Sequence, residues 1–295
     1  MHHRPMITSN PSRRNLLKTA VAAAAFSGVS PAYAVGPATA PATQPHGDPW
    51  LGLKVGITTY TFKQRPLEPT IAAIKRVGLA YVSIKDFHLP LKSTAEERKE
   101  VAQKFKASGI TPMSCGVISL KGTEKENRQA FDYARDAGIP TIVCSPTPNV
   151  LPDLEKLVKE YDIRIAIHNH GPEDKIFPSP NEVWDAVQKL DPRMGLCIDV
   201  GHSFRAGVDP AAAIRKYKDR LFDLHFKDND SNDPHAKPVE VGRGVMDIRG
   251  MLQALLDIRY PYEFSFEFEK DMDDPLPGLA ESVGFTKGVL STLKA

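Results

Sequence analysis

The chain has 295 residues and a formal net charge of +2, from 38 Lys and Arg against 36 Asp and Glu. Hydrophobic residues make up 41% and charged residues 25%, which is the ordinary composition of a globular protein with a sizeable core. The near-neutral charge argues against a protein built to bind nucleic acid or anionic membranes. Three cysteines are too few for a disulfide framework.

Residues 1–34 have the layout of an export signal. The basic segment 12–18 (SRRNLLK) precedes the apolar run 19–28, and residues 30–34 (SPAYA) form a small-residue cleavage site. The paired arginines resemble a twin-arginine signal. A buried amphipathic helix is the weaker alternative, because the run is Ala-rich and has no cap. We therefore predict export to the periplasm or another extracytoplasmic compartment.

Residues 35–49 are rich in Pro and Ala and are predicted to be a flexible linker. Residues 50–295 then form one domain of about 245 residues. Residues 1–34 hold four basic residues and no acidic one, so the remainder has 34 basic against 36 acidic residues, a net charge of −2. The predicted domain is slightly acidic.

Strand and helix patterns alternate eight times along this domain. Strands are predicted over 53–60, 80–85, 110–117, 141–145, 163–169, 194–200, 221–227 and 262–268. Helices are predicted over 69–77, 93–107, 123–137, 154–161, 181–190, 211–217, 248–258 and within 277–293. Ser93 and Glu96 are read as a capping box, and Gly109 and Gly138 as helix ends. Eight such units in this length predict an α/β fold of the TIM-barrel type. A doubly wound sheet is less consistent, because no G-x-G-x-x-G occurs.

Side chains alternate faces along a strand, and the last four predicted strands each have an apolar and a polar face. On strands seven and eight the apolar faces are Phe222, Leu224 and Phe226, and Phe264, Phe266 and Phe268. The polar faces of strands five to eight are His168 and His170; Cys197 and Asp199; Asp223, His225 and Lys227; and Glu263, Ser265, Glu267 and Glu269. We expect the apolar faces to contact the helices and the polar faces to point into the barrel. Charges there are costly unless they are paired or bind metal.

His168, Asp199, His225 and Glu267 are predicted to meet at the carboxyl ends of four consecutive strands, where barrel enzymes place their sites. Alone, each residue would be read as a hydrogen-bonded histidine or a salt-bridged carboxylate. Together, two imidazoles and two carboxylates suit a divalent ion of the Mn, Co, Fe, Ni or Zn type. The sequence therefore predicts a shared metal site.

Three segments carry a family resemblance: Ile198-Asp199-Val200-Gly201-His202, His225-Phe226-Lys227-Asp228 and Phe266-Glu267-Phe268-Glu269. With them the chain resembles the sugar phosphate isomerase/epimerase family, the xylose-isomerase-like TIM barrels. The resemblance implies that Asp199, His225 and Glu267 are metal ligands, next to a strand-five Glu in the family. This chain has His168-Asn169-His170 where epimerases of the family have Glu-Asn-His. Since only one of the two acid/base carboxylates remains, we expect one-sided proton abstraction by Glu267, leading to isomerisation or β-elimination.

Other side chains are predicted to surround the metal. Glu267, His168 and Lys227 are the expected catalytic residues, with Lys227 bonding a hydroxyl or stabilising an enolate. An internal ion pair is the alternative for Lys227 and Lys85. The resemblance implies that His202 contacts substrate oxygens. The expected substrate-binding residues are His202, His170, Lys85, His88, Glu269 and Arg205. Gly242-Arg243-Gly244 is too short a signal for a phosphate cradle.

Three functions of different classes follow. The first is a metal-dependent isomerase or epimerase acting on a non-phosphorylated sugar, since sugar phosphates are scarce outside the cytoplasm. The second is a lyase or hydratase acting on 3-keto-glycosides or related oxidised sugars. The third is a non-catalytic sugar-binding barrel. An endonuclease-like role would need a basic groove, which a net charge of −2 does not supply. The expected partners are a carbohydrate substrate and, as an option, a second copy of the chain, with no nucleic acid and no membrane after signal cleavage.

Overall fold

A computed structural model describes residues 47–293 of the chain. The predicted export signal and residues 35–46 of the predicted linker lie outside the described residues. Eight parallel strands close into a barrel. These strands are β1 (Lys54–Thr58), β2 (Tyr81–Ile84), β3 (Thr111–Leu120), β4 (Thr141–Pro146), β5 (Arg164–His168), β6 (Met194–Asp199), β7 (Leu221–Phe226) and β10 (Glu263–Phe266). Their order around the barrel is β1-β10-β7-β6-β5-β4-β3-β2, which confirms the predicted TIM barrel.

Helices follow the strands along the chain. They are α1 (Leu67–Arg76), α2 (Ala95–Ala107), α3 (Glu124–Ala137), α4 (Leu151–Tyr161), α5 (Pro180–Val187), α6 (Val200–Arg205), α7 (Pro210–Lys216), α8 (Ile248–Asp257) and α9 (Leu276–Leu290). A small antiparallel pair, β8 (Asp228–Asn229) and β9 (Pro238–Val239), follows β7. The sequence patterns did not predict α6 or this pair. Within residues 47–293, no helix is both long and apolar enough to cross a membrane.

The start of α2 corrects one prediction. Thr94, not Ser93, is the N-cap: its Oγ1 accepts from the Glu97 amide at 3.2 Å, and Glu97 Oε2 accepts from the Thr94 amide at 2.7 Å. Ser93 Oγ instead accepts from Arg98 Nε. Both serine and threonine fit the capping-box pattern, so the pattern alone could not choose between two start points one residue apart. The predicted end of α3 is confirmed, with Gly138 in the left-handed region at φ 66°.

Most of the apolar core lies between the strands and the helices, as the alternation predicted. Phe222 is an exception to the predicted faces. It belongs to a separate small cluster with Val143, Ala166 and Cys197. The pairing register between β6 and β7 shifts here, since Leu196 is opposite Leu221 while Cys197 is opposite Asp223. A register shift breaks strict alternation, and sequence periodicity does not reveal it.

The cap at α2 gives a stability prediction. Thr94→Ala removes the side-chain acceptor of the capping box and is expected to lower the free energy of unfolding by about 1 kcal/mol. Ser93→Ala serves as the control and should change it by no more than about 0.5 kcal/mol. Urea denaturation of both variants measures this. Equal losses in the two variants would contradict the assignment of Thr94 as the cap.

Candidate metal centre

Four buried side chains meet at the carboxyl end of the barrel: His168, Asp199, His225 and Glu267. Each offers one ligand atom, and the four atoms all lie within 4.8 Å of one another. His168 Nε2 is 3.0 Å from His225 Nδ1, and His225 Nδ1 is 3.2 Å from Glu267 Oε2. Asp199 Oδ2 lies 3.5 Å from His168 Nε2. The structure thus brings together the four residues that the strand alternation placed at one end.

The local backbone explains how Asp199 presents one oxygen to this cluster. Asp199 ends β6 and is the N-cap of α6, where its Oδ1 accepts from the His202 amide at 2.8 Å. Its Oδ2 is left to face the cluster. Asn169 connects β5 to the same point, because its Oδ1 accepts from the Asp199 amide at 3.0 Å and its Nδ2 donates to the Asp199 carbonyl at 3.3 Å. The central residue of His168-Asn169-His170 therefore holds the ends of two strands in register.

The donor atoms fit a divalent metal ion. Burial lowers the pKa of His168 well below its usual value, so its imidazole is neutral and can ligate. Asp199 Oδ2 is buried and makes no well-formed hydrogen bond, although the Lys227 ammonium lies 2.9 Å away. Two imidazole nitrogens and two carboxylate oxygens are a common donor set for zinc and related first-row ions. The four residues could therefore hold such an ion.

Lys227 is the main positive charge beside the cluster. Its Nζ lies 2.9 Å from Asp199 Oδ2 and 2.9 Å from Glu267 Oε2, and it also contacts Glu269. Burial alone would lower the pKa of Lys227, but the three carboxylates outweigh burial and raise it well above its usual value. The ion-pair alternative for Lys227 thus describes its contacts in this structure.

Glu267 carries a negative charge at neutral pH. Burial alone would raise its pKa, but His225, Lys227 and Lys85 hold the pKa well below its usual range. Its Oε1 lies 3.4 Å from Thr58 Oγ1 and 3.5 Å from Lys85 Nζ. The two oxygens therefore face different groups, with Oε2 toward the metal ligands and Oε1 toward β1 and β2.

A cavity of about 320 Å³ opens onto the cluster. It is lined by Tyr60, Lys85, Asp86, Phe87, Val117, His168, His170, His202, Glu267 and Glu269. The predicted substrate contacts Lys85, His170, His202 and Glu269 all belong to this wall. Burial lowers the pKa of both His170 and His202, which favours neutral rings.

Sequence reasoning missed Tyr60, Asp86, Phe87 and Val117 as cavity residues. Tyr60 and Phe87 form a tilted pair with ring centroids 6.0 Å apart, and Phe87 is 52% exposed. The available signal for Phe87 was an aromatic residue two positions after the end of a predicted strand. Val117 lies within the register irregularity of β3, between Cys115 and Ile118, where alternation gives no guidance.

Two predicted substrate contacts lie elsewhere. His88 is buried against α1 and the preceding loop, where its Nε2 lies 3.0 Å from Thr70 Oγ1 and 2.9 Å from the Arg65 carbonyl oxygen. Arg205 does not line the cavity; it pairs with Glu173 and bonds His202. Both residues lie past the ends of their strands, where strand alternation no longer applies.

The glycine amides of the segment Gly242-Arg243-Gly244 donate to another side chain of the protein. The Gly242 and Gly244 amides donate to Asp228 Oδ2 at 2.9 and 3.0 Å, and the Met246 amide donates to Asp228 Oδ1 at 3.1 Å. Arg243 pairs with Glu281. The carboxylate of Asp228 therefore accepts the hydrogen bonds that a phosphate would need from these amides.

A second pair of acidic residues, Asp223 and Glu263, is buried in the barrel strands. Burial, reinforced by Asp223, raises the pKa of Glu263 well above its usual value of 4.5. Ser265 donates to Glu263 Oε1 at 2.7 Å. Glu263 is therefore expected to keep its proton well above the pH at which it would lose it in the unfolded chain.

This gives a pH-dependent stability prediction. Because the folded chain binds the proton more tightly, the stability associated with protonated Glu263 is complete below about pH 4.5 and is lost as the pH rises toward the folded pKa. Glu263→Gln keeps the acceptor for Ser265 but does not ionise. Its free energy of unfolding, measured by thermal denaturation and compared with that of the native chain, should rise by roughly 1 kcal/mol or more between about pH 5 and pH 7. The exposed Glu96→Gln is the control, and a difference that does not change with pH would contradict the prediction.

The metal site can be tested directly. We expect one divalent ion per chain after dialysis against zinc or manganese. Asp199→Ala should weaken metal affinity by more than about 100-fold, beyond the loss typical of residues that only support a ligand. Elemental analysis measures the stoichiometry, with the exposed Asp185→Ala on α5 as control. Undiminished metal content in Asp199→Ala would contradict the site.

Comparisons with known proteins agree with this architecture. Residues 71–289 match a family model described as xylose isomerase-like TIM barrel. A structure of an uncharacterised protein from Parabacteroides distasonis is 28% identical, with a TM-score of 0.63 over 79% of this chain and 98% of that chain. No curated protein matches the chain.

Two more distant structures show the same fold. The IolI protein with a bound zinc atom is 17% identical, with a TM-score of 0.69 over 82% of this chain and 100% of that chain. The 3-keto-D-glucoside 4-epimerase YcjR from E. coli, in its apo form, is 16% identical, with a TM-score of 0.65 over 80% of this chain and 99% of that chain.

Proposed function

This chain belongs to the xylose isomerase-like TIM barrel family, and we propose that it is a divalent-metal-dependent sugar isomerase or epimerase that removes a proton next to a carbonyl of a non-phosphorylated sugar. The observation that carries the proposal is the buried set of two histidines and two carboxylates, of which His168 and Glu267 line the cavity. The proposal includes residues 1–34 as a twin-arginine signal, 35–49 as a linker and 50–295 as the exported barrel.

His168 Nε2, Asp199 Oδ2, His225 Nδ1 and Glu267 Oε2 are the atoms proposed to hold the ion. A bound divalent ion polarises a sugar carbonyl and so acidifies the adjacent C–H. Asn169 and the α6 N-cap hold Asp199 in place for this role. Asp199 and His225 are fully buried, whereas His168 and Glu267 also line the cavity.

Glu267 is the proposed base. It is ionised, it lines the cavity, and its Oε1 faces Thr58 and Lys85 rather than the other ligands. We assign proton acceptance to Oε1. Lys85 and Lys227 place two positive charges beside Glu267, which favours an enolate-like charge on the substrate. Lys227 Nζ lies 2.9 Å from an oxygen of both Asp199 and Glu267, and this ion pairing also holds the two carboxylates together.

The absence of a strand-five carboxylate supports a one-sided mechanism. His168 and His170 come from β5 and its end, and their rings lie 4.4 Å apart between centroids. The pKa of His170 is lowered by burial and by His202, so this wall offers neutral imidazoles. This same feature favours the second candidate, a lyase that removes one proton from a 3-keto-glycoside and expels the group on the next carbon.

The charges around the site support a substrate without phosphate. Arg205 and Arg243 are paired with Glu173 and Glu281. The amides of Gly242 and Gly244 are bonded to Asp228. The cationic side chains that line the cavity or border its floor, Lys85 and Lys227, contact Glu267.

The proposal is tested by incubating the metal-loaded protein in deuterated water with a panel of keto-sugars and 3-keto-glycosides and identifying products by NMR. An isomer or epimer carrying deuterium supports the proposal. An unsaturated sugar and a freed aglycone support the lyase. Binding without exchange of any substrate C–H would indicate a sugar-binding barrel and contradict both.

Glu267→Gln tests the base. Removal of a general base is expected to slow substrate C–H exchange by roughly 10²- to 10⁴-fold. Metal content is measured in the same preparation, because Glu267 is also a proposed ligand. Glu269→Gln, which alters a neighbouring contact of Lys227, is the matched control and should have the smaller effect. Full turnover of Glu267→Gln with metal bound would rule out this role.

A further inference from the structure

We infer that Arg205 is a positioning residue that fixes His202 as the neutral tautomer protonated at Nε2, so that His202 donates a hydrogen bond to an acceptor oxygen of the substrate. This inference rests on the proposed function for the identity of the ligand. It assigns to Arg205 a role different from the direct substrate contact that the sequence predicted.

Arg205 is held firmly at the end of α6. Its Nη1 and Nη2 lie 2.6 and 3.1 Å from the two carboxylate oxygens of Glu173, and Nη1 also donates to the Pro234 carbonyl. Its Nη2 lies 2.8 Å from His202 Nδ1. Its side chain is only 11% exposed. The guanidinium is therefore oriented by three partners, and a lysine could not reproduce this forked arrangement.

The chemistry of this contact decides the tautomer. A guanidinium has only N–H donors and stays protonated, so it cannot accept a hydrogen bond. Nδ1 of His202 must therefore be the acceptor at 2.8 Å. This excludes both the tautomer protonated at Nδ1 and the imidazolium, because each carries a proton on that nitrogen. The single ring proton must be on Nε2.

Nε2–H is then available to the cavity. His202 is one of the residues that line it. Its Nε2 lies 3.9 Å from Asp199 Oδ2, which is beyond hydrogen-bond distance. The ring of His202 also meets the His168 ring edge-on, with centroids 5.8 Å apart. A carbonyl or hydroxyl oxygen of a sugar beside His168 would therefore meet a donor at His202, not a base.

Gly171 provides a second, independent observation that supports the contact between Arg205 and His202. It has φ 87°, and a Cβ built there would lie 2.8 Å from Arg205 Nη2 and 3.2 Å from His202 Nδ1. A side chain at this position would therefore press on the two atoms that form the contact. The absence of a side chain at residue 171 leaves room for the Arg205–His202 hydrogen bond.

The test is ¹⁵N NMR of the histidine rings in the full chain loaded with diamagnetic zinc, with the His202 signals identified by their loss in His202→Phe. The native chain should show the pattern of a neutral ring protonated at Nε2. Arg205→Met should show a mixture of tautomers, and Arg205→Lys should not restore the native pattern. Arg243→Met, which removes a surface arginine paired with Glu281, is the matched control and should leave the His202 signals unchanged.

Kinetics provide a second measurement if the panel described above identifies a substrate. Arg205→Met should lower kcat/KM by about tenfold, the scale of one lost hydrogen bond, while metal content stays at the native value. Combined with His202→Phe it should cause no further loss, because Arg205 acts through His202. Additive losses would overturn the positioning role.

The Arg205–His202 inference and the proposed function can be contradicted independently of each other. A native His202 protonated at Nδ1 or at both nitrogens, or an Arg205→Met variant with an unchanged tautomer, overturns the inference whatever the activity. Native signals of the Nε2–H form without turnover of any sugar contradict the proposed function and leave the Arg205–His202 assignment supported.

Discussion

The structure depends on compensating two carboxylates inside a closed barrel. Asp199 and Glu267 are both buried at its carboxyl end, and an uncompensated buried charge costs several kcal/mol. Lys227 compensates both, with its ammonium 2.9 Å from an oxygen of each. His168 and His225 complete the cluster, with His225 Nδ1 3.0 Å from His168 Nε2 and 3.2 Å from Glu267 Oε2. A divalent cation meets the same electrostatic requirement, which is why one arrangement suits both an internal ion pair and a metal site.

Hydrogen bonds around this cluster direct one atom of each key side chain toward the other proposed ligands or toward the cavity. Asp199 uses Oδ1 to cap α6 and keeps Oδ2 for the cluster. Glu267 directs its two oxygens to different neighbours. In the proposed arrangement His202 has Nδ1 bonded to Arg205, and Nε2 faces the cavity. These hydrogen bonds orient each side chain of the proposed site before a substrate binds.

The predictions were correct along regular strands and wrong beside a register shift or at the start of a helix. The barrel followed from eight alternating units, and the meeting of His168, Asp199, His225 and Glu267 followed from alternation along regular strands. Phe222 departed from its predicted face beside a register shift, and the start of α2 differed by one residue because Ser93 and Thr94 both fit the pattern. Periodicity predicts faces only where the pairing register is continuous.

The sequence by itself determined the barrel and the side chains that face its interior, because parallel strands of known order bring alternate residues to one end. Only the tertiary structure decided the partners of residues in the connecting loops. His88 contacts the Arg65 carbonyl oxygen, and Arg205 donates a hydrogen bond to His202. Asp228 accepts hydrogen bonds from the amides of the 242–246 turn. Those contacts join segments far apart in the chain or beyond a strand end, where no periodic rule relates a residue's position to its direction.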